Sequence, residues 1–489
     1  MAALPSLVGR LFQPPPSQQL VSWLFIKLLA LIYLAAFASL AVQIAGLSGP
    51  QGIMPLSQQF DESMQEIGHW AWLWFPTIFW VIEPSDLALQ ASAWLGVLLS
   101  IILLIGIWQR AMLIGTFVLY LSLYHAGQFF TNFQWDTLLL ESGFLAIFLV
   151  GGPSLLLIFL FEWLLFRLRL MSGYFKLASG DPSWSGFTTL DYYFETQALP
   201  HVGAWYFQQL PEWVLQSGVG LTLFSELIVP FFIFLPRRFR IAAAAITLLM
   251  QLLIIATSNH NFINLLTIAL CVFLLDDRLL SRILPKWLQP KGLPEASQQS
   301  SRSKNILVGL IALMIVPASL MSFTSNALHQ HLPLPLQQYT DSVRRLGLGN
   351  IYHVYPTMQV KRYELDIQGS NDGEDWQSYA FKYKPDALDR APPFIVPHQP
   401  RLDWMIWFVP TQQMAQMYWF DLFMERLHQG SPQVLDLLAK NPFPDQPPKY
   451  LRVLVHQYHF TNPKERAETG NWWKREYLGV FPEVEPRKP

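Results

Sequence analysis

Long apolar runs in the first two-thirds of the chain constrain the fold more than any other feature of the sequence. In residues 1–324 there are 31 charged residues, against 36 in the remaining 165 residues. A spanning helix needs about 20 apolar residues, and runs close to that length recur throughout the first part. We therefore predict a polytopic α-helical membrane domain over 1–324, followed by an exposed, β-rich α+β domain over 325–489.

The composition excludes several classes of protein. The chain has 33 basic and 34 acidic residues, so there is no basic excess that would indicate a nucleic-acid partner. Its single cysteine, Cys271, permits neither an intrachain disulfide nor a thiolate zinc cluster. No Asn-X-Ser/Thr sequon occurs, which favours a bacterial inner membrane over a eukaryotic secretory compartment. We expect no cofactor.

The apolar runs predict about nine transmembrane helices, the first of them too long for a cleaved signal peptide. The Trp-rich run 70–82 is shorter, and it either spans the membrane or lies at its interface. If it is interfacial, most basic loops fall on the cytoplasmic side, and the C-terminal domain is periplasmic, or lumenal in an endoplasmic reticulum membrane. Arg167, Arg169 and Lys176 are exceptions to this rule. The predicted spans are 20–45, 87–107, 111–131, 136–150, 153–170, 214–236, 240–257, 261–275 and 305–324.

Outside the spans, two patterns are informative. The loop 171–213 is rich in Trp and Tyr, which is typical of a cap at the membrane interface. In the C-terminal domain, alternating apolar and polar residues around polar turns predict two antiparallel hairpins with helices between them. The predicted strands are 359–368, 376–384, 450–460 and 473–481, and the predicted helices are 402–408 and 412–427.

Ionisable side chains in apolar segments are the first candidates for a functional site, because each costs a few kcal/mol to bury. One stretch concentrates them before and within the fourth predicted span. On a helix, Asp136 and Glu141 differ by about 140°, so the two carboxylates do not share a face. Asp136 could cap the helix, whereas Glu141 needs a partner. The polar residues of this stretch are His125, Gln128, Asn132, Gln134, Asp136 and Glu141.

A second polar stretch, NHNFIN, lies between two apolar runs and contributes Asn259, His260, Asn261 and Asn264; Glu226 lies alone within another span. If the two stretches converge, a histidine with carboxylates could form a proton relay or a general base. The alternative is that these groups hydrogen-bond helix ends and shape a kinked bundle. The spans lack the ligand spacings of a metal site, so none is predicted. The catalytic candidates are His125, Asp136, Glu141 and His260.

Two tryptophan pairs in the C-terminal domain are candidates for partner binding. They are Trp404 with Trp407, and Trp472 with Trp473. Aromatic residues are enriched at the hot spots of protein interfaces, which favours a binding role. Ordinary packing within the domain or against the membrane is an equal alternative.

Four short motifs, in order along the chain, resemble those of the lipase maturation factor family. The resemblance implies a membrane-embedded factor that helps secreted lipases reach their folded, active and often dimeric state in the endoplasmic reticulum. It implies no catalytic residues. The helical part also has a distant architectural resemblance to the membrane domain of the vitamin K-dependent carboxylase, which is an enzyme. The motifs are FQWDTLLLESGFLA (133–146), NFINLLTIAL (261–270) with Asp276 and Asp277 after it, PHQPRLDW (397–404) and GNWWKR (470–475).

Two hypotheses of function follow. The first is a maturation or chaperone-like factor for exported lipases or other hydrolases, acting without thiol chemistry because only one cysteine is present. The second is a membrane enzyme for a lipid or quinone-like substrate, which requires His125, Asp136, Glu141, His260 and Asn264 to converge in one cavity. A transporter is disfavoured, since the sequence has no clear internal repeat.

Overall fold

The computed structural model describes residues 10–15, 17–290, 302–411 and 417–482, and most of them are helical. Its longer helices are α1 (Gln19–Ala41), α2 (Leu56–Ile67), α3 (Asp86–Ile105), α4 (Gln109–Ala126), α5 (Gln134–Ala146), α6 (Leu155–Ala178), α7 (Thr189–Thr196), α8 (Glu212–Leu227), α9 (Arg237–Ile255), α10 (Phe262–Cys271), α11 (Arg302–Ala327), α12 (Leu334–Arg345) and α13 (Tyr418–Gln429). Helices of fewer than eight residues are Ile44–Ser48, Ala71–Trp74, Pro182–Ser185, Val202–Gln208, Asp277–Ile283, Arg401–Ile406, Pro432–Leu435 and Pro463–Thr469.

Five helices are long and apolar enough to cross a membrane, which supports an integral membrane protein. They are α1, α3, α9, α11 and α8 with its 3₁₀ extension to Phe234. For the part of the chain that the structure describes, the prediction of nine spans is therefore wrong. Segment 136–150 holds only α5, of 13 residues, and segment 261–275 holds α10, of 10 residues. Helices α4 and α6 are longer but are not among the five.

Hydropathy predicted spans at α5 and α10, whereas both are helices of the protein core. Nearly every residue of either helix is buried. A helix that is apolar on all sides is either a membrane span or a helix packed inside a large protein, and composition alone does not separate the two. The short apolar helices thus fill the centre of the bundle while longer ones surround them.

The Trp-rich segment 70–82 is not a span. It consists of short helical turns, Ala71–Trp74 and the 3₁₀ turn Ile78–Trp80, with no continuous helix across it. The side chains of Trp70 and Trp72 are 69% and 53% exposed. Their exposure is compatible with a place at the membrane interface, which stays a prediction.

The C-terminal part contains a small antiparallel sheet of four strands in the order β2-β1-β3-β4. The strands are β1 (Arg362–Ser370), β2 (Gln377–Ser378), β3 (Tyr450–Phe460) and β4 (Trp473–Val480). Both predicted hairpins form, and β1 pairs with β3 along its whole length to join them.

The predicted return strand 376–384 is much shorter in the structure. Tyr379 still donates its N–H to the carbonyl of Ile367 at 2.9 Å, and the chain then leaves β1, because Ala380 pairs with Lys440 instead. The predicted helix 402–408 corresponds to Arg401–Ile406, and α13 covers the later part of the helix predicted over 412–427. Residues 412–416 lie outside the described residues.

The C-terminal part packs against the bundle through shared apolar cores. One core combines Leu47 and Phe130 with Leu402 and Ile406. Another combines residues of the loop 171–213, including Trp205, with residues of the sheet. Burial of these apolar surfaces favours one fixed arrangement of the two parts.

Helices α1 and α3 cross at a position where only glycine fits. A Cβ placed on Gly96 would lie 2.3 Å from Cδ1 of Phe37. The Phe37 ring is fully buried and packs edge-on against Tyr120, with the ring centroids 5.3 Å apart. The ring therefore has no free space into which it could move.

The substitution Gly96→Ala is expected to lower the free energy of unfolding by about 1–3 kcal/mol, because it overpacks this crossing. The control is Gly220→Ala in α8, where the added Cβ would lie 3.5 Å from its nearest neighbour, in Phe187. Thermal unfolding of the purified variants measures the difference. Equal stability of the two variants would contradict the assignment of Gly96 to a close helix crossing.

Candidate functional site

Asp136 forms an ion pair that joins the bundle to the C-terminal part. The guanidinium group of Arg401 donates to both carboxylate oxygens, from Nη1 at 2.6 Å and from Nη2 at 2.7 Å. The hydroxyl of Tyr120 donates to the same carboxylate at 2.6 Å. Asp136 and Arg401 are both buried. The predicted helix-capping role of Asp136 is wrong, because α5 begins without a side-chain cap.

Glu141 lies deeper in α5 and has a different cation. Arg167 of α6 donates to one of its oxygens, and the backbone N–H of Gly349 donates to the other at 2.9 Å. Arg167 also donates to the carbonyl of Asn350 at 3.1 Å. Glu141, the second carboxylate of α5, thus fixes the segment that follows α12 against α5.

Glu226 of α8 interacts with two cations of α6. Lys176 Nζ lies 2.8 Å from one carboxylate oxygen, and Arg169 Nη1 lies 3.4 Å from the other. Lys176 also donates to the carbonyl of Val354 at 2.7 Å. Local sequence spacing does not predict these basic residues as partners of Glu226, although their departure from the positive-inside pattern is a signal of burial.

The remaining polar residues of the first stretch anchor loops rather than form a reactive centre. Each makes a hydrogen bond to a group outside α5. The bonds are His125 Nε2 with the carbonyl of Arg345 (2.9 Å), Gln128 Nε2 to the carbonyl of Met54 (2.9 Å), Tyr124 Oη to Asn132 Oδ1 (2.8 Å) and the N–H of His353 to Gln134 Oε1 (2.9 Å).

Asn259 in the second stretch connects three loops. Its Nδ2 donates to the carbonyls of Leu199 and Pro393, at 3.0 and 2.9 Å, and its Oδ1 accepts from the N–H of Ile395 at 3.1 Å. Asn261 Nδ2 donates to the carbonyl of Asn259 at 3.1 Å. These amides serve the structural role that the sequence analysis gave as the alternative.

His260 and Asn264 differ from their neighbours because they face a cavity. The ring of His260 hydrogen-bonds the hydroxyl of Tyr193, and Asn264 Nδ2 donates to Gln251 Oε1 at 2.7 Å. The cavity has a volume of about 360 Å³ and lies between α6, α8, α9, α10 and the loop 171–213. Glu226 also belongs to its wall.

The predicted convergence of the two polar stretches does not occur. His125, Asp136 and Glu141 are not among the residues that line the cavity of His260 and Asn264. His125 instead lines a separate depression together with Gln128. A reacting atom could therefore not lie within reach of all five candidates, as the enzyme hypothesis requires.

Within the described ranges, no group of three His, Cys, Asp or Glu side chains is arranged to hold a metal ion. The carboxylates of α5 are already bound by cations and hydrogen-bond donors. Groups that are satisfied in this way stabilise a fold and have no free lone pairs directed at a common point.

Three of the four candidate tryptophans are buried inside the protein, and Trp407 is half-buried. Trp404 and Trp473 are buried, and Trp472 is only 9% exposed. Trp404 meets Trp135 of α5 edge-on at 5.1 Å between ring centroids, and Trp407 Nε1 donates to the carbonyl of Thr196 at 2.8 Å. The geometry favours the packing alternative, and partner binding through these residues stays a prediction.

Known protein families match both parts of this architecture. The family model described as the lipase maturation factor transmembrane domain matches residues 20–282, and the lipase maturation factor C-terminal domain matches residues 348–482. The chain belongs to the lipase maturation factor family. Its motifs at 133–146 and 397–404 meet in the structure, because they contain Asp136 and Arg401.

Relatives match over nearly the whole chain. Lipase maturation factor 2 of Mus musculus is 31% identical over 95% of this chain and 83% of its own length. Lipase maturation factor 2 of Rattus norvegicus is 32% identical, with 94% and 82% covered. Lipase maturation factor 1 of Mus musculus is 32% identical, with 93% and 85% covered. No solved structure matches.

Removing the charge of either Asp136 or Arg401 is expected to lower the free energy of unfolding by about 3–5 kcal/mol, because the other charge is then buried without a counter-charge. Asp136→Asn and Arg401→Met are the single variants. The double variant removes both charges, so its loss is expected to be smaller than the sum of the two. Denaturant unfolding of the purified protein measures all three.

The control for this cycle is Lys474→Met, which breaks an exposed pair with Glu465 and is expected to change stability little. Strict additivity of Asp136→Asn and Arg401→Met would show that the two charges do not depend on each other for stability.

Asp403 generates a pH-dependent prediction. Burial raises its pKa to about 6, although its Oδ1 accepts from the N–H groups of Tyr383 and Lys384 at 2.7 and 2.9 Å. In an unfolded chain the pKa of an Asp side chain is about 4. Between about pH 4 and pH 6 the folded state therefore binds more protons than the unfolded state. The stabilising contribution of this group is complete below about pH 4 and is lost as the pH rises to 6.

Asp403→Asn keeps an oxygen acceptor but carries no charge. Its free energy of unfolding is therefore expected to lack the loss of about 2–3 kcal/mol that wild type shows as the pH rises. Unfolding of wild type and variant at pH 4.5 and pH 7.5 measures the difference in slope. The exposed Asp375→Asn is the control. Parallel pH profiles for wild type and Asp403→Asn would contradict the prediction.

Proposed function

We propose that this protein is a membrane-embedded, chaperone-like factor that assists the folding or activation of exported lipases. The observation that carries the proposal is the match of relatives named lipase maturation factor over both the helical and the C-terminal part, covering 93–95% of the chain. The five helices that are long and apolar enough to cross a membrane support a lipid bilayer as its surroundings. Other exported hydrolases are a second class of client, and a bacterial origin stays a prediction.

The proposal places the C-terminal part on the exported side of the membrane. Asp277 accepts from the N–H of Gln19 at 2.9 Å, at the start of α1, and Arg278 and Arg282 lie beside it in sequence. At the other end of α1, Gln43 donates to the carbonyl of Gln399 at 2.9 Å. The basic residues and the C-terminal part therefore lie at opposite ends of α1, and the positive-inside rule makes the basic end cytoplasmic. The exported side is the periplasm for a bacterial inner membrane, or the lumen of the endoplasmic reticulum.

Assistance of this kind is non-covalent in our proposal. Thiol–disulfide exchange needs an accessible thiolate. The only cysteine of the chain, Cys271, is 5% exposed at the end of α10. The protein would instead stabilise its client through surface contacts made by the C-terminal part.

Expression of this protein in cells that lack their own lipase maturation factor is expected to raise the activity per molecule of a secreted lipase. Cys271→Ala is expected to restore that activity as well as wild type does, because the thiol takes no part. Activity and immunoblotted amount of the secreted lipase are measured together, and an empty vector is the control.

Two outcomes separate the parts of this proposal. No gain in specific activity with wild type, for the lipase or for other exported hydrolases, would refute the maturation function. A gain with wild type that Cys271→Ala loses, at equal membrane abundance, would refute the non-covalent mechanism alone.

A further inference from the structure

The cavity beside His260 has features that the proposed maturation function does not use. Its volume of about 360 Å³ falls within the range of about 300–1,000 Å³ for sites of small ligands. Most of its wall is apolar, including Leu190, Leu215, Leu221 and Ile254. A wall of this composition accommodates a hydrocarbon chain and offers little to a polar solute.

One part of the wall carries charge. Arg169 and Lys176 from α6 and Glu226 from α8 all line the cavity. They form a connected group in which both cations contact the single carboxylate. Two cations against one anion leave an excess positive charge, which favours an anionic ligand.

Three buried polar atoms on the cavity wall have no hydrogen-bond partner among the described residues. They are Arg169 Nε, Trp184 Nε1 and Asn264 Oδ1. The side chains of all three residues are at least nine-tenths buried. Buried donors and acceptors are normally satisfied, so two free donors and one free acceptor indicate a ligand with a polar headgroup.

The cavity opens beside the start of α8. Leu210 and Ser217 line it and are themselves exposed. In the sequence, Trp213 lies between these two residues, and it is 70% exposed. An exposed tryptophan at the end of an apolar helix is typical of the membrane interface. A ligand would therefore enter from the interface at the start of α8 and extend along this helix toward the charged wall at Glu226, near its other end.

We propose that this cavity binds one amphiphile that has a single apolar chain and an anionic headgroup. The chain lies along the apolar wall, and the headgroup lies at the charged part of the wall, beside Arg169 and Lys176. Fatty acids and anionic lysophospholipids such as lysophosphatidate both have this chemistry. The inference goes beyond the maturation function and does not depend on it.

Binding of radiolabelled oleate to the purified full-length protein in nanodiscs tests the proposal. Oleyl alcohol, oleylamine and oleoyl lysophosphatidate compete for the site. Oleate is expected to bind at least about tenfold more tightly than the neutral alcohol with the same chain, as hydrogen bonds to a charged group predict. Oleylamine is expected to compete least. Stronger competition by lysophosphatidate than by oleate supports the proposal and identifies phosphate as the preferred headgroup.

Two variants locate the site. Leu221→Trp fills the cavity and is expected to weaken oleate binding at least about tenfold. Its matched control is Phe224→Trp on the same helix, where Phe224 is 43% exposed and does not line the cavity. Arg169→Met leaves Glu226 paired with Lys176 and is expected to abolish the preference for oleate over oleyl alcohol. Thermal unfolding without ligand verifies that each variant is folded.

Equal binding of oleate and oleyl alcohol by wild type would overturn the anionic headgroup and with it the proposal. Equal oleate binding by Leu221→Trp and Phe224→Trp would show that oleate binds elsewhere, which also overturns it. Where Leu221→Trp does not fold, an unchanged oleate preference in folded Arg169→Met serves as the refuting result.

Discussion

A carboxylate buried in a core helix cannot remain charged without a cation, and α5 carries two. Water is excluded from both Asp136 and Glu141, and the penalty for burying each charge is several kcal/mol. The cations come from two different parts of the chain: Arg401 lies in the C-terminal part, 265 positions from Asp136, and Arg167 lies on α6, the next helix after α5. The two carboxylates of this one short helix therefore fix how the bundle, the segment after α12 and the C-terminal part are arranged.

This dependence gives the two matched family regions a shared physical centre. Trp404 packs on Trp135 beside the pair of Asp136 and Arg401, and Asn259 joins loops of both parts nearby. A rigid platform of this kind holds the C-terminal part in a fixed orientation relative to the helical bundle. The cavity adjoins this centre through His260, whose ring centroid lies 6.3 Å from that of Trp404, but Asp136 and Glu141 do not line it.

The sequence predicted the helical membrane class, the small antiparallel sheet and the importance of the motifs at 133–146 and 397–404. Alternation sufficed for the hairpins, because a strand with one buried face has a period of two. The count of spans failed, since α5 and α10 are as apolar as a span. The candidate residues do not line one cavity, and the ion pair of Asp136 and Arg401 could not be predicted, because two residues 265 positions apart leave no trace in local spacing.

By itself, then, the sequence determined which side chains must avoid water and which buried charges need partners, since these follow from residue type. Only the tertiary structure decided the partners. It assigned Arg401 to Asp136 and Arg167 to Glu141, and it left Asn264 facing a cavity. The physical reason is that desolvation acts on each residue locally, whereas the pairing that offsets it depends on how distant helices pack.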